Sequence, residues 1–426
     1  MAVSDEITTT RTPAGIPVVV ERLPDFHSAS LSVYFGTGSR DESDQKAGIA
    51  HMLEHMLFKG TSNRTAREMS EQIEAAGGEM NGYTTKEVTS YQVFALDETV
   101  EVAEDILADM ILNPLLGESC LDTERNVVMQ EINMLHNDPD DYIHVLFAET
   151  LWGGHPMGRS EAGTLDTVGS LTREDVRDFF AQHYRPPRMA VIAVGNVDPV
   201  QVTNWASESF DDLSMAKSNE DRTAPRPNAT FRVYPREDSQ AYVGMGFPGC
   251  SSVDPDRHAL RLAASILGIG TSSRLFQEIR EKEGLVYEIF ASSCSYTDSG
   301  AMQIFFNTNV KDQEKVVRLV GKELRRLKDD GLEKGELERA KRLLKGVYVR
   351  RLESSETRMI RLGEMFMSTG KAVSPEESLH NIDVVTEEDV HRIAQKVMSR
   401  DRLCMAMHAP GKESEQAAKS LEDLDF

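Results

Sequence analysis

Short runs of alternating or β-branched residues predict strands in the first half of the chain. Ile16 to Arg22 and Ser30 to Phe35 show this pattern, and both segments follow turn residues. Met80 to Leu96 alternates over a longer stretch, which is typical of a hairpin pair, and Met189 to Val194 is short and apolar. Together these segments predict a β-sheet.

Between the strands, apolar residues recur at the three- and four-residue spacing of an amphipathic helix. One helix is predicted from Gly48 to Phe58, with Gly60 as its C-cap, and a second from Ala66 to Ala76, which Gly77-Gly78 ends. Further helical patterns cover Val100 to Ile111, Leu121 to Asn137 and Leu171 to His183. Strands and helices in this succession predict the α+β fold class.

The same succession begins again in the second half of the chain. Thr230 to Tyr234 and Ala241 to Phe247 are strand-like and precede a helical pattern. Three short matches link the halves at offsets of 210 or 214 residues: Gly60–Arg64 with Gly270–Arg274, Glu124-Arg125 with Glu338-Arg339, and Leu171–Val176 with Val385–Val390. Chance explains any one match, but their common order and offset predict a duplication.

The polar segment 214–228 contains two prolines and is the predicted linker between the halves. We therefore predict two homologous domains, at 1–213 and 229–426, each with a mostly antiparallel β-sheet packed with helices. The length of 426 residues agrees, because it exceeds what one ordinary core accommodates.

Composition narrows the classes of function. The formal net charge of −23 argues against nonspecific nucleic-acid binding and would attract basic peptides, although solubility also explains it. No apolar run approaches a membrane span, and the first residues, MAVSDEITTTRTPAG, lack the features of a signal peptide. We expect no membrane or nucleic-acid partner, and a cytoplasmic protein unless an upstream presequence has been removed. Reduced thiols are expected for the four widely spaced cysteines, Cys120, Cys250, Cys294 and Cys404.

His51, Glu54 and His55 form the pattern H-x-x-E-H, which reverses the order found in many zinc peptidases. Residues four apart lie on one face of a helix, so both imidazoles can reach one metal ion. Glu54 lies near the same face and is well placed to take a proton from water at the metal. Chance also produces such a pattern, so a pair of core histidines and a structural zinc ion are the alternatives.

Catalytic zinc usually has three protein ligands and one open position, so a third ligand is needed. The predicted helix from Leu121 to Asn137 has an apolar stripe that we assign to Val127, Val128, Ile132 and Leu135. Glu131 lies beside this stripe, where a carboxylate needs a compensating cation. Glu124 lies two turns earlier and can orient a ligating histidine. A helix-surface acid is the alternative interpretation of Glu131.

The duplication provides an internal control for these residues. His51, Glu54, His55 and Glu131 are matched in the second half by Arg261, Ala264, Ser265 and Lys345, in that order. None of the four is a normal zinc ligand or base, whereas Glu124 is matched by Glu338. This asymmetry favours metal chemistry over a packing role for the histidines.

The segment GIAHMLEHMLFKGT, followed 76 residues after His55 by Glu131 in ERNVVMQEI, resembles the M16 peptidases, the pitrilysin or insulinase family. The resemblance covers nearly the whole chain. The length is similar to that of the half-size subgroup, which includes the mitochondrial processing peptidase subunits and their bacterial and archaeal relatives. The resemblance implies that one Zn²⁺ per chain is bound by His51, His55 and Glu131. It further implies that Glu54 is the general base and that Glu124 supports the metal site.

The resemblance also implies substrate-binding residues outside the motif. Arg280 and Tyr287, in SSRLFQEIREKEGLVYE, match an arginine and a tyrosine that contact substrate near the zinc in this family. Such an arginine can hold a substrate carbonyl, and the tyrosine hydroxyl can stabilise an oxyanion. Asn81 matches an asparagine on an edge strand that pairs with extended substrate, but Gly82 stands where the family often has alanine. The alternatives are a helix-surface charge for Arg280, a strand aromatic for Tyr287 and a turn residue for Asn81.

Members of the family form a clamshell of four homologous α+β domains around a chamber, so a chain with two domains is expected to need a partner. A homodimer is sufficient, because one chain carries both the zinc motif and the pair Arg280 and Tyr287, which would act on the opposite subunit. The implied activity is endopeptidase cleavage of unfolded peptides or presequences. The alternatives are an active subunit that requires a motif-less heterodimer partner, and a noncatalytic structural subunit.

Overall fold

Residues 6–215, 222–237 and 239–411 are described by the structure, a computed structural model, and their contacts divide them into two units. The first unit contains the described residues up to Asn133, those from Ser160 to Arg222, and Val349–Ser374. The second contains Met134–Arg159, the described residues of Thr223–Tyr348, and those from Pro375 onward. Residues 216–221 of the predicted linker lie outside the described part of the chain.

The helical periodicity of the sequence corresponds to α-helices throughout the described residues. They are α1 (Ile49–Leu57), α2 (Ala66–Ala75), α3 (Val100–Leu112), α4 (Glu118–Asn137), α5 (Pro139–Trp152), α6 (Leu165–Ser170), α7 (Arg173–His183), α8 (Pro199–Phe210), α9 (Arg257–Gly268), α10 (Gln313–Asp329), α11 (Glu336–Arg351), α12 (Ser355–Thr369), α13 (Pro375–Asp383) and α14 (Glu387–Val397). All five helices predicted for the first half are observed. Within the described residues, no helix combines the length and apolar character needed to cross a membrane.

The first unit contains a six-stranded sheet. Its strands are β1 (Glu6–Arg11), β2 (Pro17–Arg22), β3 (Ser28–Phe35), β4 (Glu79–Thr84), β5 (Thr89–Leu96) and β6 (Met189–Gly195), in the order β1-β2-β6-β3-β5-β4. Only β2 and β6 are parallel among these pairs. Both faces are covered: Val18 and Val20 lie in the core that includes α1 and α3, whereas Val19 packs with α12. This explains why β2 is apolar at consecutive positions.

The second unit repeats this sheet with one strand fewer. Its strands are β7 (Phe231–Pro235), β8 (Gln240–Pro248), β9 (Val286–Ser295), β10 (Gly300–Asn309) and β11 (Cys404–Ala409), in the order β7-β11-β8-β10-β9. This order is that of β2-β6-β3-β5-β4, and its parallel pair, β7 and β11, takes the place of β2 and β6. The α+β class and the mostly antiparallel sheets are therefore confirmed.

The repeated residues also build the same local structure. Thr172 caps α7 and accepts a hydrogen bond from the backbone N–H of Asp175, and Thr386 caps α14 in the same way with Asp389. The carboxylate of each aspartate in turn accepts a hydrogen bond from the backbone N–H of its threonine, which completes a capping box. The match between Leu171–Val176 and Val385–Val390 is thus a helix start that occurs in both units.

Two helices belong to the unit formed mainly by the other half of the chain. α5 packs against β8 and β11 in the second unit, and α12 packs against β3 and β6 in the first. Gly363 permits the close approach of α12, since a Cβ there would overlap the ring of Tyr34. The units therefore differ from the predicted division into 1–213 and 229–426. The apolar residues of a helix do not specify which of two similar sheets they cover. Tertiary packing therefore decides which unit α5 and α12 join.

Candidate metal centre

The helix that carries the H-x-x-E-H pattern is fixed at its start by a buried acid. The two carboxylate oxygens of Glu42 accept backbone N–H groups from Gly48 and Ala50, each at 2.9 Å. They satisfy donors that the first turn of a helix leaves free. Gly48 has a φ of 92°, and a Cβ there would collide with the carbonyl oxygen of Ala162. The start of α1, and with it the direction of His51, is therefore defined.

His51 and His55 lie one turn apart on the partly exposed face of α1, as the spacing predicts. Met52, Leu53 and Met56 on the other face are buried in the core of the first unit. The two imidazole rings meet edge to face, with centroids 4.7 Å apart. Burial of the apolar face thus leaves both imidazoles available on the opposite side.

The helix α4 brings Glu131 to the same place, although its buried face differs from the predicted stripe. The side chains that α4 buries are Leu121, Glu124, Val128 and Ile132. The assignment of Val127 and Leu135 to the buried stripe is wrong, since Val127 is 37% exposed and Leu135 is half-buried. Glu131 is therefore at the edge of the buried face, where its side chain is 43% exposed.

His51, His55 and Glu131 form the one group of three potential metal ligands found among the described residues, with ligand atoms within 4.8 Å of one another. Oε2 of Glu131 lies 3.7 Å from Nε2 of His51 and 3.6 Å from Nε2 of His55. Tetrahedral zinc with bonds of about 2.0–2.2 Å places its ligand atoms about 3.3–3.6 Å apart. The donor types and their spacing both fit a zinc ion.

The environment of His51 favours the form that binds a metal. Burial, and to a lesser degree the neighbouring His55, lowers the pKa of His51 to about 4. A metal-binding histidine must be neutral, so His51 needs to lose no proton at neutral pH. Its Nδ1 is buried and has no hydrogen-bond partner among the described residues. Packing, and not a second hydrogen bond, therefore holds this ring.

Glu54 lies beside the three ligands and is held by strand β4. The hydroxyl of Thr84 donates a hydrogen bond of 2.6 Å to Oε2 of Glu54. Burial raises the pKa of Glu54, while the Thr84 hydrogen bond and His55 oppose the increase. The sequence did not identify Thr84. A signal exists in the alternation of β4, which places Thr84 on the same side as Gly82, the side that faces Phe58 beyond the end of α1.

Glu124 lies against His55, as the sequence predicts. Nδ1 of His55 is 3.2 Å from Oε2 of Glu124, whose side chain is only 4% exposed. The other oxygen, Oε1, lies 2.9 Å from Nζ of Lys59. Lys59 was not predicted to belong to the site. The available signal is its position two residues after the end of α1, together with the apolar residue, Ile269, at the matching position of the second half.

Asn81 lies on β4, the strand at one edge of the first sheet, and its side chain is exposed. Its Oδ1 accepts the backbone N–H of Gly82 at 2.8 Å. A Cβ at position 82 would lie 3.1 Å from the ring of Phe58, so alanine requires a small shift of that ring. The structure therefore places Asn81 on an edge strand, as the resemblance implies.

Arg280 and Tyr287 lie in the second unit and are not part of the metal group. Arg280 belongs to a π-helical segment, Phe276–Lys282, and Tyr287 to β9, the strand at an edge of the second sheet. The guanidinium carbon of Arg280 is 5.9 Å from the centre of the Tyr287 ring, which is a cation–π distance. Tyr287 is 81% exposed, so its hydroxyl is available to a ligand.

The matching positions of the second unit contain no metal group. Arg261, Ala264 and Ser265 lie on α9, where Ala264 and Ser265 are buried. Lys345 on α11 makes an ion pair with Asp383 at 2.8 Å. This unit uses the equivalent helices for packing and for a surface ion pair.

Comparison with known proteins identifies the family. Residues 17–165 match the family model described as Insulinase (Peptidase family M16), and residues 170–344 match the model Peptidase M16 inactive domain. A protein named uncharacterized zinc protease from Streptomyces coelicolor is 35% identical over 414 residues, which are 95% of this chain and 90% of that protein. A second protein named uncharacterized zinc protease, from Bacillus subtilis, is 33% identical over 390 residues, which are 91% of this chain and 94% of that protein.

Solved structures agree on the fold. A protease from Helicobacter pylori matches with a TM-score of 0.87 and 23% identity, over 96% of this chain and 100% of that one. A structure described as a peptidase M16 inactive domain, from Pseudomonas fluorescens, matches with a TM-score of 0.88 and 21% identity, over 95% and 98% of the two chains. With the two family models covering most of its length, the chain belongs to peptidase family M16 as a half-size member.

Proposed function

We propose that the protein is a zinc-dependent endopeptidase that hydrolyses unfolded peptides or presequences. One observation carries the proposal: His51, His55 and Glu131 converge at a spacing that fits zinc, with the carboxylate of Glu54 beside them. The relatives named zinc proteases support the same metal. The matching positions of the second unit have lost every one of these groups, which ties them to chemistry and not to the fold.

The residues of the chain divide the work of hydrolysis among them. Zinc held by His51, His55 and Glu131 would activate a water molecule and polarise the scissile carbonyl. Glu54 takes a proton from that water at Oε1, because Oε2 is engaged by Thr84. Glu54 then delivers the proton to the leaving amine, and the Tyr287 hydroxyl stabilises the oxyanion. Asn81 and Arg280 hold the extended substrate.

Replacing Glu54 by Gln tests the assigned base. We expect kcat on a quenched fluorescent peptide to fall by about 10²–10⁴-fold, because general acid–base catalysis contributes that much. The zinc content should stay at one ion per chain, since Glu54 is not a ligand. Glu338→Gln, an exposed glutamate of the second unit, is the matched control. Cleavage by the Glu54→Gln protein at the rate of the unchanged protein would disprove the role of the base.

We further propose that two chains assemble as a clamshell homodimer that encloses a chamber, with Arg280 and Tyr287 acting on the metal centre of the opposite subunit. The exposure of Tyr287 supports this, because its hydroxyl is free for a ligand outside its own strand. Mixing Glu54→Gln with Tyr287→Phe chains should restore part of the activity in mixed dimers. No recovery despite demonstrated subunit exchange would show that the tyrosine acts within its own chain.

A chamber selects unfolded and short substrates, and the net charge of −23 favours basic ones. A folded protein that carries a sequence cleaved in a free peptide should therefore resist cleavage.

We propose a cytoplasmic location, which the four free cysteines support. The mass of the purified chain in solution, measured with its zinc content and peptidase activity, separates the homodimer from a heterodimer subunit and from a noncatalytic subunit.

A further inference from the structure

The carboxylate of Glu124 is the most enclosed charge next to the metal ligands. Its side chain is 4% exposed, and its two oxygens contact two different groups. Oε2 lies 3.2 Å from Nδ1 of His55, and Oε1 lies 2.9 Å from Nζ of Lys59. An ionised carboxylate only accepts hydrogen bonds, so Nδ1 of His55 is the donor and Nε2 is left to bind a metal.

A buried carboxylate with a single neutral donor is costly, because a lone charge loses its hydration without full compensation. Lys59 supplies the missing positive charge. Its side chain is 37% exposed, so its ammonium reaches Glu124 while it remains partly hydrated. Because each oxygen has its own partner, Lys59 also fixes the direction in which Oε2 faces His55.

The second unit, which lacks the metal group, has different residues or environments at the positions that match Lys59 and Glu124. The position of Lys59 is taken by Ile269, which packs against the core of that unit. Glu338, which matches Glu124, is 64% exposed, and the lysine near it, Lys341, is 3.8 Å away. The buried carboxylate and its cation therefore occur together in the unit that has the metal ligands, and both features are absent at the matching positions of the other.

We propose that Lys59 is a positioning residue for the metal: it holds the Glu124 carboxylate against His55 and thereby sets the affinity of the site for zinc. This inference rests on the proposed function only in taking zinc as the metal. Lys59 is not a member of the metal group and contacts Glu124 instead. Its effect passes through Glu124, so it should appear in metal affinity and not only in activity.

Zinc affinity, measured by competition with a chromophoric chelator on the full chain, tests the proposal. Lys59→Met should weaken zinc binding by about 10-fold or more, the size typical of lost support to a ligating histidine. Lys59→Arg, which keeps the charge, should recover most of the affinity. Lys345→Met is the control, since it removes a lysine–carboxylate pair, Lys345 with Asp383, in the unit that lacks the metal group, and should leave zinc affinity unchanged.

Repeating the Lys59 substitution in a Glu124→Gln protein distinguishes a positioning role of Lys59 from a general loss of stability. In Glu124→Gln the buried charge is gone, so adding Lys59→Met should weaken zinc binding little further. If Lys59→Met alone does not fold, comparing Glu124→Gln with the double variant still shows whether Lys59 affects zinc binding without the Glu124 charge. An equal loss from Lys59→Met in both backgrounds, or no loss in the unchanged protein, would overturn the proposal. Failure of the unchanged chain to bind zinc would instead refute the proposed function, so the two failures are distinguishable.

Discussion

The two units have the same scaffold, but only in the first do two of its helices present potential metal ligands. In the first unit, α1 and α4 present His51, His55 and Glu131 at one point. In the second, α9 buries Ala264 and Ser265 and α11 presents Lys345 to the surface. The strand order is nevertheless the same apart from β1. The fold therefore does not depend on the metal ligands.

A shared arginine shows what the scaffold does require. Arg64 and Arg274 occupy the same place in the repeated Gly-Thr-Ser-x-Arg segments, and each makes a partly or fully buried ion pair. Arg64 binds Asp109 at 2.7 Å, and Arg274 binds Glu336 at 2.6 Å. The partners differ, yet the charge is compensated in both units. The arginine that both repeats retain makes a structural ion pair in each unit, whereas the residues that would bind metal occur in only one.

The largest expected difference between the units is in metal binding. His55→Ala should reduce the zinc content from one ion per chain to none and remove peptidase activity, since two ligands do not retain zinc against a chelator. The matching change, Ser265→Ala, should leave both unchanged. It should not destabilise the protein either, because the Ser265 hydroxyl is buried without a hydrogen-bond partner among the described residues. Loss of zinc from Ser265→Ala would contradict the comparison.

The shared arginines should differ in how much stability they provide. Arg274→Leu leaves the Glu336 carboxylate, 4% exposed, with one backbone donor, and should lower the free energy of unfolding by about 3–5 kcal/mol. Arg64→Leu should cost less, because Asp109 keeps donors from Thr61, Asn63 and Asn113. Urea unfolding measures both. An equal or larger cost for Arg64→Leu would show that these donors do not compensate the buried charge.

Burial of His51 should make the stability of the zinc-free chain depend on pH. The pKa of His51 is about 4 in the folded state, against an ordinary value of 6.5. Between these values the unfolded chain binds more protons, so the free energy of unfolding falls as the pH falls through this window. His51→Gln should remove about 3 kcal/mol of that dependence between pH 7 and pH 4. Urea unfolding at pH 7 and pH 4 measures it, and an unchanged slope would refute the assigned pKa.

The smallest effects should be equal in the two units. Thr172→Ala and Thr386→Ala each remove the threonine of a capping box and should each cost about 1 kcal/mol in the free energy of unfolding. Neither should change zinc content. Each aspartate also pairs with a cation, Asp175 with Lys46 at 2.6 Å and Asp389 with Arg392 at 3.1 Å, so a clearly larger cost at one threonine would contradict the comparison.

Much of the site was predictable because it is built from local patterns. The spacing of His51 and His55 defines one face of a helix, and the helix that carries Glu124 and Glu131 is set by its own periodicity. The matching residues of the second half predicted which positions would lack chemistry. The error at Val127 and Leu135 has a physical reason: both residues are apolar and flank the buried face of α4, and tertiary packing decides how far round the helix burial extends.

The sequence by itself determined the elements, the duplication and the three candidate ligand side chains, because each of these depends on residues close together in the chain or on a repeated order. The tertiary structure decided the rest. It brought Thr84 to Glu54 and Lys59 to Glu124, and it exchanged α5 and α12 between the units. These contacts join elements distant in sequence, and the free energy that selects them comes from burial and charge compensation, which no local pattern records.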